Sequence, residues 1–189
     1  MIRLKQLLFE MTDAEFKSIT NKIQLGNFRY IGAGDNGRVY QINGEDKVFK
    51  ITTSKDEIEV ARQIANKIAD YSTFIPVYYV GDLKGLDTNY KDAFIMANAE
   101  NLIPSTKRKI DRVVDKFKEY AYDQGGEVSL FDFIDNADIT QFDPAILNFI
   151  EALQADVEKL NIPEFDLDLD FKSDNIMLWN GRLVMVDWW

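Results

Sequence analysis

Gly32-Ala33-Gly34-Asp35-Asn36-Gly37-Arg38-Val39-Tyr40-Gln41-Ile42-Asn43-Gly44 is the stretch on which the fold turns. Its first six residues match G-x-G-x-x-G, a pattern with two mechanical uses. A dinucleotide-binding loop must open a helix, whose N-terminus holds the pyrophosphate. Here the residues after Gly37 alternate as a strand does, and Asn43-Gly44 is a favoured hairpin turn. The loop is therefore expected at the tip of a hairpin, as a flap whose backbone amides can lie over phosphates. Taken alone, the glycines are explained equally well by a plain hairpin turn.

Working outward, Phe28-Arg29-Tyr30-Ile31 reads as the strand entering the loop, and Val39 to Ile42 as the strand leaving it. Lys47-Val48-Phe49-Lys50-Ile51 reads as a third. Ser54 then caps a helix running to about Asp70, and Phe74 to Val80 and Ala93 to Met96 read as two more strands. Five strands with one helix after the third make an α+β unit. Ahead of it, residues 1–24 look helical. Leu4, Leu7, Leu8 and Met11 form an apolar face, and Thr12 with Glu15 makes a capping box for a helix carrying Phe16, Ile19 and Ile23.

The second half is mostly helical. Ser105 precedes a helix with Ile110, Val113, Val114, Phe117 and Ala121 on one face, which Gly125-Gly126 breaks. Asp143-Pro144 starts another, with Pro at the first position and a stripe of Ile146, Ile150, Leu153, Val157 and Leu160. A hairpin follows, Ile176 to Trp179 and Leu183 to Val186 around Asn180-Gly181.

Composition removes whole classes of chemistry. With 189 residues, 46% of them hydrophobic, the chain suits one domain or two small lobes sharing a cleft. Lys plus Arg number 22 and Asp plus Glu 32, giving a formal charge of −10 and arguing against nucleic-acid or anionic-membrane partners. There is no Cys and no His, which excludes zinc sites on those ligands, thiol nucleophiles, disulfides and His-dependent triads. No run approaches a membrane span, so a soluble, cytoplasmic chain is expected.

The remaining chemistry falls on carboxylates, Lys and Asn. Lys50 sits on the third strand among Val48, Phe49 and Ile51. Such a lysine is usually a snorkelling edge residue, but under a phosphate flap it reaches phosphates and needs a carboxylate to orient it. Glu57 shares a helical face with Ala61, Ile64 and Ile68, whereas Glu59 shares one with Arg62, Gln63 and Asn66. Glu57 is thus the better-placed partner, with Glu59 the alternative; Ser54 to Glu57 also reads as a capping box. In Asp166-Leu167-Asp168-Leu169-Asp170-Phe171-Lys172-Ser173-Asp174-Asn175 a calcium loop would need Gly at position six and Glu at twelve, and these are Phe171 and Met177. The other reading takes Asp170 as a catalytic carboxylate, with Asn175 and, after one hairpin, Asp187 as ligands for magnesium on phosphates.

Together these motifs resemble the protein-kinase-like superfamily. Gly32-x-Gly34-x-x-Gly37-x-Val39 is similar to its glycine loop and Val48-x-Lys50 to its strand-three lysine. Asp170-x-Lys172-x-x-Asn175 is similar to its catalytic loop, and Val186-Asp187 to its metal-binding aspartate. The resemblance covers about residues 27–100 and 145–187. It implies a two-lobed fold with a helical extension over 1–24, an N-lobe over 25–98 and a reduced C-lobe over 99–189. It also implies ATP and Mg2+ as cofactors, Met96 as gatekeeper, Ala97 to Ala99 as the hinge meeting adenine, and Lys172 on the transferred phosphate. The implied activity is transfer of the γ-phosphate to a protein hydroxyl or to the chain itself. The alternatives are a pseudokinase-type interaction module, or a small-molecule kinase of the aminoglycoside or choline phosphotransferase type. Asp168-Leu169 replaces the usual His-Arg, and Trp188-Trp189 the usual Phe-Gly. With nothing after Trp189, no activation segment and no substrate-docking loop are expected. The Val-Asp-Trp ending is also similar to that of the aminoglycoside- and choline-type enzymes. The opening Met1-Ile2-Arg3-Leu4-Lys5 resembles small proteins of large tailed phages, which would place the chain in a host cytoplasm. The two terminal tryptophans beside an apolar helix are expected to be buried, under the 107–122 helix or in a homodimer or partner contact.

Overall fold

Thr12 begins the first described helix of the computed structural model, which describes residues 11–34, 37–83, 92–126, 128–160, 162 and 169–188. The helix expected around Leu4 to Leu8, the Asp166 to Asp168 stretch, Asp35-Asn36 and Trp189 lie outside the described residues. The Thr12 hydroxyl accepts from the Glu15 amide, and Glu15 reaches back to the Thr12 amide, so both halves of the capping box are made. This helix, α1, spans Asp13–Gln24. The chain divides into two units by contact, Met1–Tyr71 with Ile75–Asn98, and Ser72–Phe74 with Ala99–Trp189.

The first unit is built on a five-stranded antiparallel sheet. Its strands are β1 Phe28–Ala33, β2 Gly37–Ile42, β3 Lys47–Thr52, β4 Val77–Gly81 and β5 Asp92–Ala97, in the order β1-β2-β3-β5-β4. Residues directly opposite on antiparallel strands share a face, and successive residues alternate. Phe49 lies opposite Tyr40 and Ile95, and belongs with Ile51 to a core containing Ile42 and Ala93. The same core takes Ile19 and Ile23 from α1, at 1% and 2% exposure. Each such buried side chain contributes about 1.5–3 kcal/mol, so α1 is held to one sheet face by its own apolar stripe.

The helix after β3, α2, spans Lys55–Asn66 and is capped by the Ser54 hydroxyl. It ends earlier than the expected Asp70, and the chain tightens into a 3-10 turn over Ile68–Asp70. The strand expected from Phe74 begins instead at Val77. Pro76 has no amide to give a ladder, and its carbonyl accepts from Ala97. Phe74 meanwhile bridges to Met185 in the second unit.

The second unit contains α3 Pro104–Asp123, α4 Leu130–Asn136, α5 Pro144–Leu160, and the hairpin of β6 Ile176–Trp179 and β7 Arg182–Met185. Helix α4 was not expected from periodicity. Its start is a capping box in which Asp132 plays the usual Glu part toward Ser129, and Phe133 joins Phe117, Tyr120 and Phe142 in an aromatic group. The β6–β7 turn is Asn180-Gly181, both with positive φ (50° and 77°), as a two-residue hairpin turn of this hand requires. Among the described residues no helix is long and apolar enough to cross a membrane. The fold is α+β: a sheet of order β1-β2-β3-β5-β4 with a helix after β3 in the first unit, and helices with one hairpin in the second.

Candidate active site

Each unit carries its own set of polar residues. In the first unit, Lys50 lies opposite Val39 on β2, and Val48 opposite Met96 on β5. Lys50 and Val48 are two residues apart on β3, so Val39, Val48, Lys50 and Met96 share the sheet face opposite to Phe49 and Ile51. Ala97 pairs with Lys47 at the end of the same ladder, and its amide is already given to Pro76. Val39, Val48, Lys50 and Met96 therefore gather on one face, whereas Ala97, opposite Lys47, falls on the other.

Lys50 meets Glu57 there. The two form an ion pair with side chains 4% and 1% exposed. Glu57 stands on the first turn of α2, whose face of Glu57, Ala61 and Ile64 is buried, with Ile68 buried just beyond the helix. The capping box expected from Ser54 and Glu57 is only half made: the Ser54 hydroxyl accepts from the Glu57 amide, while the Glu57 carboxylate turns inward to the lysine. Neither Glu57 oxygen accepts a further hydrogen bond among the described residues. Glu59, the alternative partner, points outward and pairs with Arg62 at 3.1 Å.

The three loop glycines divide by need. The Gly34 amide donates to the Gly37 carbonyl across the loop at 3.1 Å. A Cβ on Gly37 would stand 2.3 Å from the Ile51 carbonyl oxygen, so only glycine lets β2 and β3 approach there. A Cβ on Gly32 would meet nothing within 4 Å.

In the second unit, Asp170 stands between buried Leu169 and Phe171, which fix the backbone on both sides of it. The Asn175 amide nitrogen donates to the Asp170 carbonyl and to Asp170 Oδ2, both at 2.9 Å, and Lys172 pairs with the same Oδ2. Oδ1 of Asp170 accepts no hydrogen bond from a described residue, and the side chain is 34% exposed. The Val186 amide donates to the Asn175 carbonyl at 2.9 Å, and the Asp170 amide to the Trp188 carbonyl at 3.4 Å. Asp187 is thereby held between two residues tied to Asn175 and Asp170. With its N–H groups turned to Asp170, Asn175 has Oδ1 left to ligate. Asn175 Oδ1 and the Asp187 carboxylate are hard oxygen donors of the kind magnesium accepts, so these residue types fit that ion and could hold it. Asp174 faces Lys107 of α3 at 2.5 Å, and this hydrogen bond, then the aspartate charge, holds the Lys107 ammonium above its ordinary range.

Trp188 is fully buried, with its ring edge-on to Phe74 at 6.0 Å within the second unit. Ala99, expected in the hinge, also falls in this unit, and its amide makes no backbone hydrogen bond among the described residues.

One polar centre was not anticipated. Asp156 on α5 is 1% exposed. Its Oδ2 accepts from the Ser72 amide (2.7 Å) and hydroxyl (3.1 Å), and from the Thr73 amide (2.9 Å) and hydroxyl (2.8 Å), while Lys159 pairs with Oδ1 at 2.6 Å. Burial alone would push the Asp156 carboxyl up. The Lys159 ammonium and the Ser72 and Thr73 donors outweigh it and hold the group below the usual carboxylate range. The signal lay in the sequence: Phe149, Leu153, Asp156 and Leu160 recur at helical spacing, an Asp inside an apolar stripe.

No family model and no curated protein matches the chain. Among solved structures it is similar to aminoglycoside phosphotransferase APH(4)-Ia, at 14% identity over 94% of this chain and 71% of that one, with a TM-score of 0.42. It is also similar to a thermostable mutant of that enzyme in ternary complex with AMP-PNP and hygromycin B, at 15% identity over 85% of this chain and 65% of that one, TM-score 0.41. A third is wild-type aminoglycoside 2'-phosphotransferase-IIIa in its GDP complex, at 12% identity over 94% and 72%, TM-score 0.41. The chain thus spans 65% to 72% of the length of these proteins.

Proposed function

We propose that this chain is a phosphotransferase of the protein-kinase-like type that takes Mg-ATP and transfers its γ-phosphoryl group to an alcohol, a protein hydroxyl or one of its own. The buried Lys50–Glu57 pair carries this reading. A buried ion pair is a poor stabilising device, because desolvation of both charges offsets their attraction and an apolar pair of similar volume usually does as well or better. A lysine buried on the Val39, Val48 and Met96 face is explained by an anionic ligand, and phosphates under a glycine flap are that ligand.

The second unit's residues supply the rest. Oδ1 of Asp170 takes the proton of the acceptor hydroxyl, while Asn175 and Lys172 hold the other oxygen and fix the carboxylate's orientation. Lys172 balances charge on the transferred group. Asn175 and Asp187 would hold magnesium, which when bound neutralises phosphate charge. Apolar Val39, Val48 and Met96 suit the adenine ring.

The test is thermal unfolding with and without Mg-ATP. Saturating ligand at a hundredfold over Kd should stabilise the parent by about 2.7 kcal/mol, and Asp187→Ala should remove most of that shift. Asp170→Asn should retain binding but lose phosphoryl transfer by at least about a hundredfold. No shift at millimolar Mg-ATP would leave the fold as an interaction module without nucleotide. A shift without Asp170-dependent turnover would leave a pseudokinase.

A further inference from the structure

We infer that Asp156 is a positioning residue for the metal-binding end of the second unit. It acts on Asp187 and Asp170 through the three-residue segment Ser72–Phe74, and the inference rests on the phosphotransferase reading above. Asp156 Oδ2 gathers four donors, the amides and hydroxyls of Ser72 and Thr73. That fixes the backbone of a segment with no regular secondary structure of its own. The segment then makes two contacts that bracket Asp187. The Thr73 carbonyl accepts from the Met185 amide at 2.7 Å, and the Phe74 ring meets the Trp188 ring edge-on at 6.0 Å. Met185 lies two residues before Asp187 and Trp188 one after it. The Trp188 carbonyl in turn receives the Asp170 amide.

The chain of contacts is short and almost wholly buried. Thr73, Phe74, Met185, Asp156 and Trp188 are each 2% exposed or less. A simple structural role would be served by any side chain that fills the space. Asp156 instead spends a desolvated carboxylate on two backbone amides and two hydroxyls, which specifies the segment's position to within hydrogen-bond tolerance. Groups that hold metal ligands from behind in this way typically change metal affinity about 10–100-fold when removed.

The experiment compares the parent with Asp156→Ala, Asp156→Asn and Thr73→Val. The last two remove less: Asn keeps one acceptor oxygen, and Val removes a single donor. Two readouts are taken on protein shown to be folded by far-UV circular dichroism. The first is the magnesium concentration at half-saturation, at fixed ATP, from thermal shift and from turnover. Asp156→Ala should raise it about tenfold or more, with the two milder variants in between, while a merely structural role would reduce the active fraction and leave half-saturation unchanged. The second needs no nucleotide. In a Trp179→Phe/Trp189→Phe background Trp188 is the sole tryptophan, and its emission should be blue-shifted and poorly quenched by acrylamide. Asp156→Asn and Thr73→Val should shift it to the red and raise quenching while the far-UV spectrum is kept. Unchanged Trp188 emission in folded Asp156→Asn and Thr73→Val overturns the inference, as does unchanged magnesium half-saturation. If the parent binds no Mg-ATP at all, the phosphotransferase reading fails, and the Trp188 readout alone decides whether Asp156 positions this end of the chain.

Discussion

Removing one member of the Lys50–Glu57 pair should cost far more than removing both. The side chains are 4% and 1% exposed, and neither Glu57 oxygen has another hydrogen bond among the described residues. Lys50→Met leaves a buried carboxylate without its compensating charge, and Glu57→Gln takes one buried carboxylate away from the lysine. Each should lower stability by about 3–5 kcal/mol. At about 2–4 °C per kcal/mol for a chain of this length, that is a fall of about 6–20 °C in Tm. The double variant Lys50→Met/Glu57→Leu buries two apolar side chains of comparable volume in the same place. It should return to the parent's stability or exceed it by about 1–4 kcal/mol. The cycle is read by urea unfolding at constant m-value, so that changes in midpoint report stability alone. The double variant should also be stable and blind to Mg-ATP, which separates what the pair does for folding from what it does for the ligand. Single variants that cost under about 1 kcal/mol, or a double variant no better than the sum of its singles, would mean that water or another group already compensates each charge, and the reasoning is wrong.

Other outcomes follow from the same geometry. Gly37→Ala should destabilise the first unit, since its Cβ would stand 2.3 Å from the Ile51 carbonyl oxygen, whereas Gly32→Ala should leave the melting temperature within a degree or two of the parent; thermal melts of the two variants side by side check this. Any loss of Mg-ATP binding in Gly32→Ala then reports on the loop's approach to phosphate and not on folding. The Asp156 carboxyl is held below the usual range in the folded state, so its contribution is present above the unfolded carboxylate pKa and is lost as pH falls through the folded one. Urea midpoints between pH 7 and pH 3 should therefore fall more gently in Asp156→Asn than in the parent, and parallel curves would remove Asp156 from the acid limb.

Much of the first unit was legible because its signals are local. The glycine loop leads into a strand and not a helix, which the alternation after Gly37 and the Asn43-Gly44 turn already indicated. The choice of Glu57 over Glu59 followed from which helical face carries Ala61 and Ile64. The readings that failed depend on partners distant in sequence. Phe74 looks like strand by composition, yet the chain gives it to the second unit, where Met185 and Trp188 meet it. Helix α4 is short, with seven residues, and its apolar residues lie too close together to show a period; tertiary packing of Phe133 makes it a helix. The stripe on α5 was read from its aliphatic members alone, and Asp156 was not weighed. Its donors lie more than eighty positions away, at Ser72 and Thr73, beyond the reach of any pattern within the helix.

Strand β3 alternates between two incompatible surroundings. Phe49 and Ile51 sit in an aliphatic and aromatic core with Ile19 and Ile23 of α1, and the intervening Lys50 sits against Glu57. Sliding β3 by one residue against its neighbours would exchange these surroundings throughout. An ammonium would enter the isoleucine cluster, and a phenyl ring would be set against a bare carboxylate. Each error is costly on its own, and a slip commits both at once. The misaligned sheet is thereby penalised from its two sides together. Lys50 is thus a register pin in its own right, and an apolar residue in its place would remove half of the safeguard against mispairing even where the final structure tolerates it.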